Sequence, residues 1–174
     1  MRTALASDVA AIAELMRASA RGLCEPFYDA RQTASVAAHV AVLDEQLVAD
    51  GTYYVVDGNA DVPLAACGGW SRRDKLFTGT ATSGTVRELD PAREPARIRA
   101  MFVHPAFARR GLGRAILERS EAAARAAGFQ RVELFATLPG EPLYAACGYA
   151  VLERADIVLP DGVAVGGARM GKAL

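Results

Sequence analysis

Histidine is scarce in this chain: His39 and His104 are the two among 174 residues. Metal centres and His-assisted nucleophiles therefore have little to draw on. Cys24, Cys67 and Cys147 show no metal-ligand spacing, and their odd number argues against a disulfide scaffold. No metal is expected, and the thiols read as small core or pocket residues. Charge of either sign is not in excess, with 20 Lys+Arg against 20 Asp+Glu. A general nucleic-acid binder would need a concentrated basic face, so no nucleic acid is expected. No apolar run is long enough to cross a bilayer, and Met1-Arg2-Thr3 does not open a basic-then-apolar leader. No membrane partner and a cytoplasmic location are expected. Internal repeats are lacking. What is there is ordinary globular chemistry, 52% hydrophobic and 23% charged. That fits one domain over residues 1–174.

Taken in order, Met1 to Ala6 reads as a short strand. Asp8 reads as the cap of a helix on which Val9, Ile12, Ala13, Met16 and Ala20 share a face. The connection Ala20 to Asp29 is rich in apolar and aromatic residues, punctuated by Gly22 and Pro26. Thr33 to Asp50 reads as one helix, since Val36, Val40, Leu43 and Leu47 recur at three and four. His39 lies beside that stripe with no orienting partner and reads as structural. Thr52 to Asp57 and Val62 to Trp70 form two strands around an Asp57-Gly58-Asn59 turn. Paired Gly68 and Gly69 suggest a bulge or a close backbone approach. Ser71 to Glu94 is small, polar and Gly-containing, and reads as a long flexible loop.

The most informative stretch follows. Arg97 to Val103 alternates charged and apolar residues before turning apolar, as a strand entering a core does. His104-Pro105 stops it. Ala108-Arg109-Arg110-Gly111-Leu112-Gly113-Arg114 then opens a helix that runs to Ala127. Leu112, Ala115, Ile116, Ala123 and Ala126 would face the sheet, with Arg119, Glu121 and Arg125 facing water. Glycines admit a ligand to the backbone, and the first helical amides lack intrahelical partners and favour an anion. A phosphate or pyrophosphate is the simplest occupant. A Walker loop would end in Gly-Lys-Ser/Thr, and a dinucleotide fingerprint would need a small residue at Ile116. The alternative is a Gly-rich turn with solvated arginines. Arg131 to Thr137 is the next strand, Glu141 to Cys147 a short helix, and strands from Tyr149 and Val163 close the chain around Asp161-Gly162.

Two motifs in this half resemble the GNAT N-acetyltransferase superfamily. Ala108 to Gly113 resembles its Gln/Arg-x-x-Gly-x-Gly/Ala acyl-coenzyme A loop, with Ala108 at the position of the Gln or Arg. Leu143-Tyr144-Ala145-Ala146-Cys147-Gly148-Tyr149 resembles its aromatic/Leu-Tyr-x-x-x-Gly-Phe/Tyr segment. The resemblance implies an α+β fold: a mixed, mostly antiparallel central sheet flanked by helices, with a splayed strand pair at the coenzyme A site. It implies that the main chain of Met101, Phe102 and Val103 holds pantetheine and the thioester. Backbone amides from Arg109, Arg110, Gly111, Leu112, Gly113 and Arg114 would hold the pyrophosphate. Tyr144 would be the general acid that protonates the departing thiolate. The segment between the first two helices would wall the acceptor pocket, with Ser19, Arg21, Cys24 and Tyr28 as its residues. Gly69 and Trp70 would either line the acceptor channel or form a core Trp over a bulge.

The implied function is acetyl transfer from acetyl-coenzyme A to a primary amine of a small molecule or peptide. That chemistry needs a neutral amine, an oxyanion donor and a proton for the leaving sulfur. A backbone N–H near Met101 can serve as the donor. The general base stays open: the strand before the loop carries Arg97 and Arg99, and Glu88 and Asp90 lie upstream. Cys147 has no convincing His partner and reads as structural. A non-catalytic acyl-coenzyme A-binding or sensing module on the same fold is the alternative, since fold does not fix function. Members of the superfamily often form homodimers, and the sequence leaves that state open.

Overall fold

The computed structural model describes residues 1–76 and 86–174. Its centre is a seven-stranded sheet in the order β1-β2-β3-β4-β5-β7-β6. The strands are β1 (Arg2–Thr3), β2 (Tyr53–Asp57), β3 (Leu64–Ser71), β4 (Ala96–Val103), β5 (Arg131–Thr137), β6 (Ala150–Val158) and β7 (Ala164–Ala173). Every neighbouring pair is antiparallel except β4 and β5, which are parallel. The crossover between those two is α4 (Leu112–Ala126), as a parallel pair requires. The expected mixed, mostly antiparallel sheet flanked by helices is what forms.

Strand periodicity divides the interior into two cores. Tyr53 and Val55 enter one, with Ile12, Leu15, Met16 and Ala20 of α1 (Val9–Leu23) and Val36 of α2 (Ala30–His39). Tyr54 enters the other, with Leu117 and Ala124 of α4, Phe129 and Trp70. Each large apolar side chain buried there contributes about 1.5–3 kcal/mol relative to exposure.

Two helical expectations change. The helix expected over 33–50 is two: α2 and α3 (Glu45–Ala49), separated by Val40 to Asp44. Helix α2 starts early because Asp29 and Gln32 form a capping box, with Gln32 N donating to Asp29 at 2.7 Å and Asp29 N to Gln32 at 3.2 Å. Asp44 starts α3 by accepting from Gln46 N at 3.3 Å. In α4, Glu121 faces the interior rather than water, at 6% exposure. Tyr149 donates to it at 3.0 Å and Lys172 at 2.7 Å, so its charge is partnered.

The stretch expected to be a long loop, 71–94, is tied at both ends. Ser71 still belongs to β3, Arg73 and Glu88 form an isolated bridge, and Leu89 is buried. Arg87 pairs with Glu94. The middle of that stretch, 77–85, lies outside the described residues.

Candidate functional site

Strands β4 and β5 pair only at Ala96–Val132 and Arg97–Glu133. Past these positions they splay, as expected. The local cause is a bulge. Cys67 of β3 pairs with Phe102 and Gly69 with Arg99, so Gly68 alone faces both Ala100 and Met101. Ala100 sits at φ 50°, a left-handed conformation that a residue with a Cβ enters at a cost. Tyr53 steadies it by donating from its hydroxyl to Ala100 O at 2.7 Å. Gly68 is closely packed: a Cβ there would lie 2.3 Å from Met101 Sδ, 3.1 Å from Ile116 Cγ2 and 3.2 Å from Met101 Cα, so Met101 would have to shift.

The splay opens a cavity of about 230 Å³. Ala100, Met101, Phe102 and Val103 form one side, and Phe135 and Thr137 the other. Helix α5 (Glu141–Ala146) closes one end with Leu143 and Tyr144, while α1 and α2 supply an apolar wall. The edge of β4 past Arg97 has no ladder partner on the β5 side, so backbone there is available to a ligand, as at any open sheet edge.

Beyond Val103 the chain turns at His104, whose Nδ1 accepts from Ala106 N at 3.2 Å. Arg109 (φ 62°) and Gly111 (φ 81°) are both left-handed, and Gly111 is the N-cap of α4. The first helical bond runs from Ala115 N to Gly111 O at 3.0 Å. The amides of Leu112, Gly113 and Arg114 therefore have no intrahelical acceptor. A Cβ on Gly111 would meet nothing within 4 Å, which leaves the cradle open to a ligand. A Cβ on Gly113 would lie 2.9 Å from Leu143 Cδ2 and 3.7 Å from Val103 Cγ2, so the cradle abuts the cavity at its Val103–Leu143 end. Arg109, Arg110 and Arg114 are exposed. Arg110 stacks 5.2 Å from the Phe107 ring centroid, and Arg114 donates to Ala146 O at 3.3 Å. This arrangement fits a pyrophosphate, held mainly by backbone, with a pantetheine arm entering the cavity.

Tyr144 lines the cavity and is 7% exposed. Burial, with Cys147 nearby, holds its phenol well above the usual tyrosine range, so it keeps its proton at neutral pH. Its hydroxyl makes no hydrogen bond to any described residue. The Tyr144 ring packs edge-on against Tyr149 at 5.7 Å, and Tyr149 is fixed in turn by Glu121.

The residues expected on the acceptor side divide. Cys24 and Ser19 line the cavity, and burial pushes the Cys24 thiol up to about 11. Arg21 is exposed and lies outside it. Tyr28 is occupied elsewhere: its hydroxyl donates to Gly166 O at 2.6 Å and accepts from Leu138 N at 2.9 Å. Gly69 permits the close approach of β2, because its Cβ would lie 2.2 Å from Thr52 O. Trp70 packs in the second core, 6.0 Å from Phe129 and under Arg72 at 5.7 Å. Of the candidate bases, Glu88 and Asp90 are exposed and away from the cavity. Among the described residues no Asp, Glu or His lines it.

One residue of the site was missed. Arg99 lines the cavity at 3% exposure and donates to Asp44 at 3.2 Å and to Lys75 O at 2.8 Å. Burial pulls its pKa down, with Asp44 opposing. Burial alone would raise Asp44, but Lys75 and Arg99 outweigh it and hold the carboxyl below its ordinary range. The pair favours Asp44's charge, while the deeper Arg99 is still penalised. The signal available in sequence was Arg99 within a strand that turns apolar on both sides of it.

Among the described residues no group of His, Cys, Asp and Glu could hold a metal ion, and no helix is long and apolar enough to cross a membrane. A model of the Acetyltransferase (GNAT) family matches residues 18–149. No curated protein matches the chain. Among solved structures, a GCN5-related N-acetyltransferase from Rhodopseudomonas palustris is similar at TM-score 0.73 and 20% identity, covering 99% of this chain and 94% of that one. The PaiA N-acetyltransferase from Thermoplasma acidophilum, in complex with coenzyme A, is similar at TM-score 0.63 and 13% identity, with 99% and 97% covered. The yncA protein from Salmonella typhimurium, with its cofactor acetyl-CoA, is similar at TM-score 0.59 and 20% identity, with 99% and 92% covered.

Proposed function

Because the chain belongs to the GNAT acetyltransferase family, we propose that it is an N-acetyltransferase carrying acetyl directly from acetyl-coenzyme A to a primary amine of a small molecule or peptide. The observation that carries this reading is the union of three features in one continuous site. These are the open β4 edge, the amide cradle at the start of α4, and Tyr144 with a protonated, unengaged hydroxyl. Coenzyme A and acetyl-CoA bound to the Thermoplasma and Salmonella proteins support the choice of donor.

Bound acetyl-coenzyme A supplies the activated thioester. Amides of Leu112, Gly113 and Arg114 hold its pyrophosphate, and backbone of Met101, Phe102 and Val103 aligns the arm beside β4. A backbone N–H near Met101 stabilises negative charge developing on the carbonyl oxygen. The transfer forms a C–N bond and breaks the C–S bond. Tyr144 gives its proton to the departing sulfur and recovers one from solvent. With no carboxylate or imidazole lining the cavity among the described residues, the amine attacks as the free base and loses its extra proton to water. Cys24, at about 11, stays a thiol and forms no acyl bond. All three cysteines are free, which supports a reducing, cytoplasmic setting. The chain works as one domain.

Thiol release from acetyl-coenzyme A across an amine panel tests this. Tyr144→Phe should lower kcat by about 100-fold or more while coenzyme A affinity is retained. The missing carboxylate favours a second reading, an acyl-coenzyme A-sensing module. Coenzyme A binding without amine-dependent thiol release from wild type on a broad panel would leave that reading in place.

A further inference from the structure

Among the described residues Tyr53 is the largest fully buried side chain. Its hydroxyl oxygen has two close neighbours, Ala100 O at 2.7 Å and Cys67 Sγ at 3.2 Å. A phenol has one proton, and the carbonyl is both the nearer and the stronger acceptor. Burial above all holds that phenol well above the usual tyrosine range, so it stays a donor at neutral pH. A tyrosine of β2 thus reaches past β3 to a main-chain oxygen of β4.

The backbone it holds is irregular. Ala100 and Met101 fall between the paired positions of the β3–β4 ladder, and Ala100 is left-handed at φ 50°. Both residues line the cavity, so the peptide that joins them borders it. In a planar trans peptide the C=O and the N–H point in opposite directions, here the Ala100 carbonyl and the Met101 N–H. The carbonyl faces Tyr53, which comes from the side of β2 and β3. The Met101 N–H is thereby turned the other way, toward the edge of β4 that β5 leaves open. Rotating this peptide by half a turn would break the 2.7 Å bond and strand a buried hydroxyl. It would also set a carbonyl oxygen where a developing oxyanion needs a donor.

We infer that Tyr53 is a positioning residue for acetyl transfer: its hydroxyl fixes the Ala100–Met101 peptide so that the Met101 N–H is presented to the thioester carbonyl oxygen. This rests on the acetyltransferase reading. Tyr53 touches neither donor nor acceptor and exchanges no proton. It acts through the orientation of one peptide plane. The device has a local reason. Alanine enters the left-handed region at a cost that glycine escapes, and the hydrogen bond from Tyr53 offsets it.

Tyr53→Phe removes the hydroxyl and keeps the ring in its core. The kcat for amine acetylation should fall by about 10- to 100-fold, the range for losing a buried hydrogen bond that holds the competent state. Coenzyme A affinity by calorimetry should stay within about twofold, because the pyrophosphate cradle and the rest of the β4 edge are untouched. A second readout needs no acceptor: isotope-edited infrared spectra of acetyl-coenzyme A labelled at its thioester carbonyl. The carbonyl stretch should drop in frequency on binding to wild type, as a hydrogen-bonded carbonyl does, and return toward its free position in Tyr53→Phe. Val55→Ala is the control for stability, since it opens a hole in the same core from the same strand. It should lower Tm and leave kcat and the carbonyl band unchanged. A band that is the same in wild type and Tyr53→Phe overturns the positioning role whatever happens to the rate. So does a kcat in Tyr53→Phe within about twofold of wild type, or an equal loss of kcat in Val55→Ala. Each of these leaves the acetyltransferase standing wherever wild type turns amines over. A wild-type band that shifts and is lost in Tyr53→Phe, with no amine turned over by wild type, keeps the tether and overturns the acetyltransferase.

Discussion

Replacing Gly111 with valine asks whether the backbone cradle at α4 is a phosphate site. Gly111 sits at φ 81°, where an L-residue costs about 1–2 kcal/mol and a β-branched one more. Nothing lies within 4 Å of where its Cβ would be, so none of the penalty is a clash. The residue is exposed and the turn is free to relax. A relaxed turn escapes the strain in the free protein and meets it again only when the amides must converge on a ligand. The cost then appears in binding: if the competent loop is populated less by 1–2 kcal/mol, affinity falls by about 5- to 30-fold. Calorimetry with coenzyme A, paired with denaturant unfolding, reads both sides. Gly111→Val should weaken coenzyme A binding in that range with little change in unfolding free energy. Gly111→Asn, which tolerates the left-handed region, should recover most of the affinity. Coenzyme A affinity within about twofold of wild type in Gly111→Val refutes the cradle, because that change is below the strain a β-branched residue brings there.

Asp44 and Asp50 are held below the ordinary carboxylate range: Asp44 by Lys75 and Arg99 against the opposing effect of burial, Asp50 chiefly by Arg73. A depressed folded pKa contributes stability above the unfolded value, about pH 4, that is lost as pH falls through the folded value. Asp44→Asn should therefore have a lower Tm than wild type at pH 6, with the two curves converging toward about pH 2; parallel curves across that range would count against the ion pair. Burial holds Cys24 at about 11 and Cys67 at about 12. At pH 8 about one Cys24 in a thousand is thiolate, so iodoacetamide followed by mass spectrometry should label half-buried Cys147 first. Early labelling of Cys24 would mean that the α1 wall opens in solution.

The order of strands and helices and the position of the cradle were readable because each depends on local pattern. Alternation marked β4, and the two glycines marked the turn into α4. Features set by distant partners were not readable. The 3–4 repeat through Val36, Val40, Leu43 and Leu47 hid the break after His39, and Asp44, which caps α3 beyond that break, takes its ion-pair partner from Arg99, fifty-five residues away. Glu121 read as solvated for the same reason: Tyr149 and Lys172 lie far along the chain. On the acceptor side, Tyr28 and Trp70 belong in type to a pocket wall. Tyr28 is instead held by the carbonyl of Gly166 and the amide of Leu138, and Trp70 packs against Phe129. Cys24 shared no such commitment, and its helical spacing from Ala20 carried it to the cavity.

The short pairing between β4 and β5 also governs how the molecule carries load. Among the described residues, β4 and β5 share a register of two pairs where the panel β1–β4 meets the panel β5–β7–β6, so the sheet has a seam at its middle rather than a continuous weave. A strand-like ligand laid along the open edge adds stitches to that seam. On the proposed reading, its arrival would stiffen the panels against sliding past each other, and the donor would become a temporary member of the sheet as well as a passenger in it.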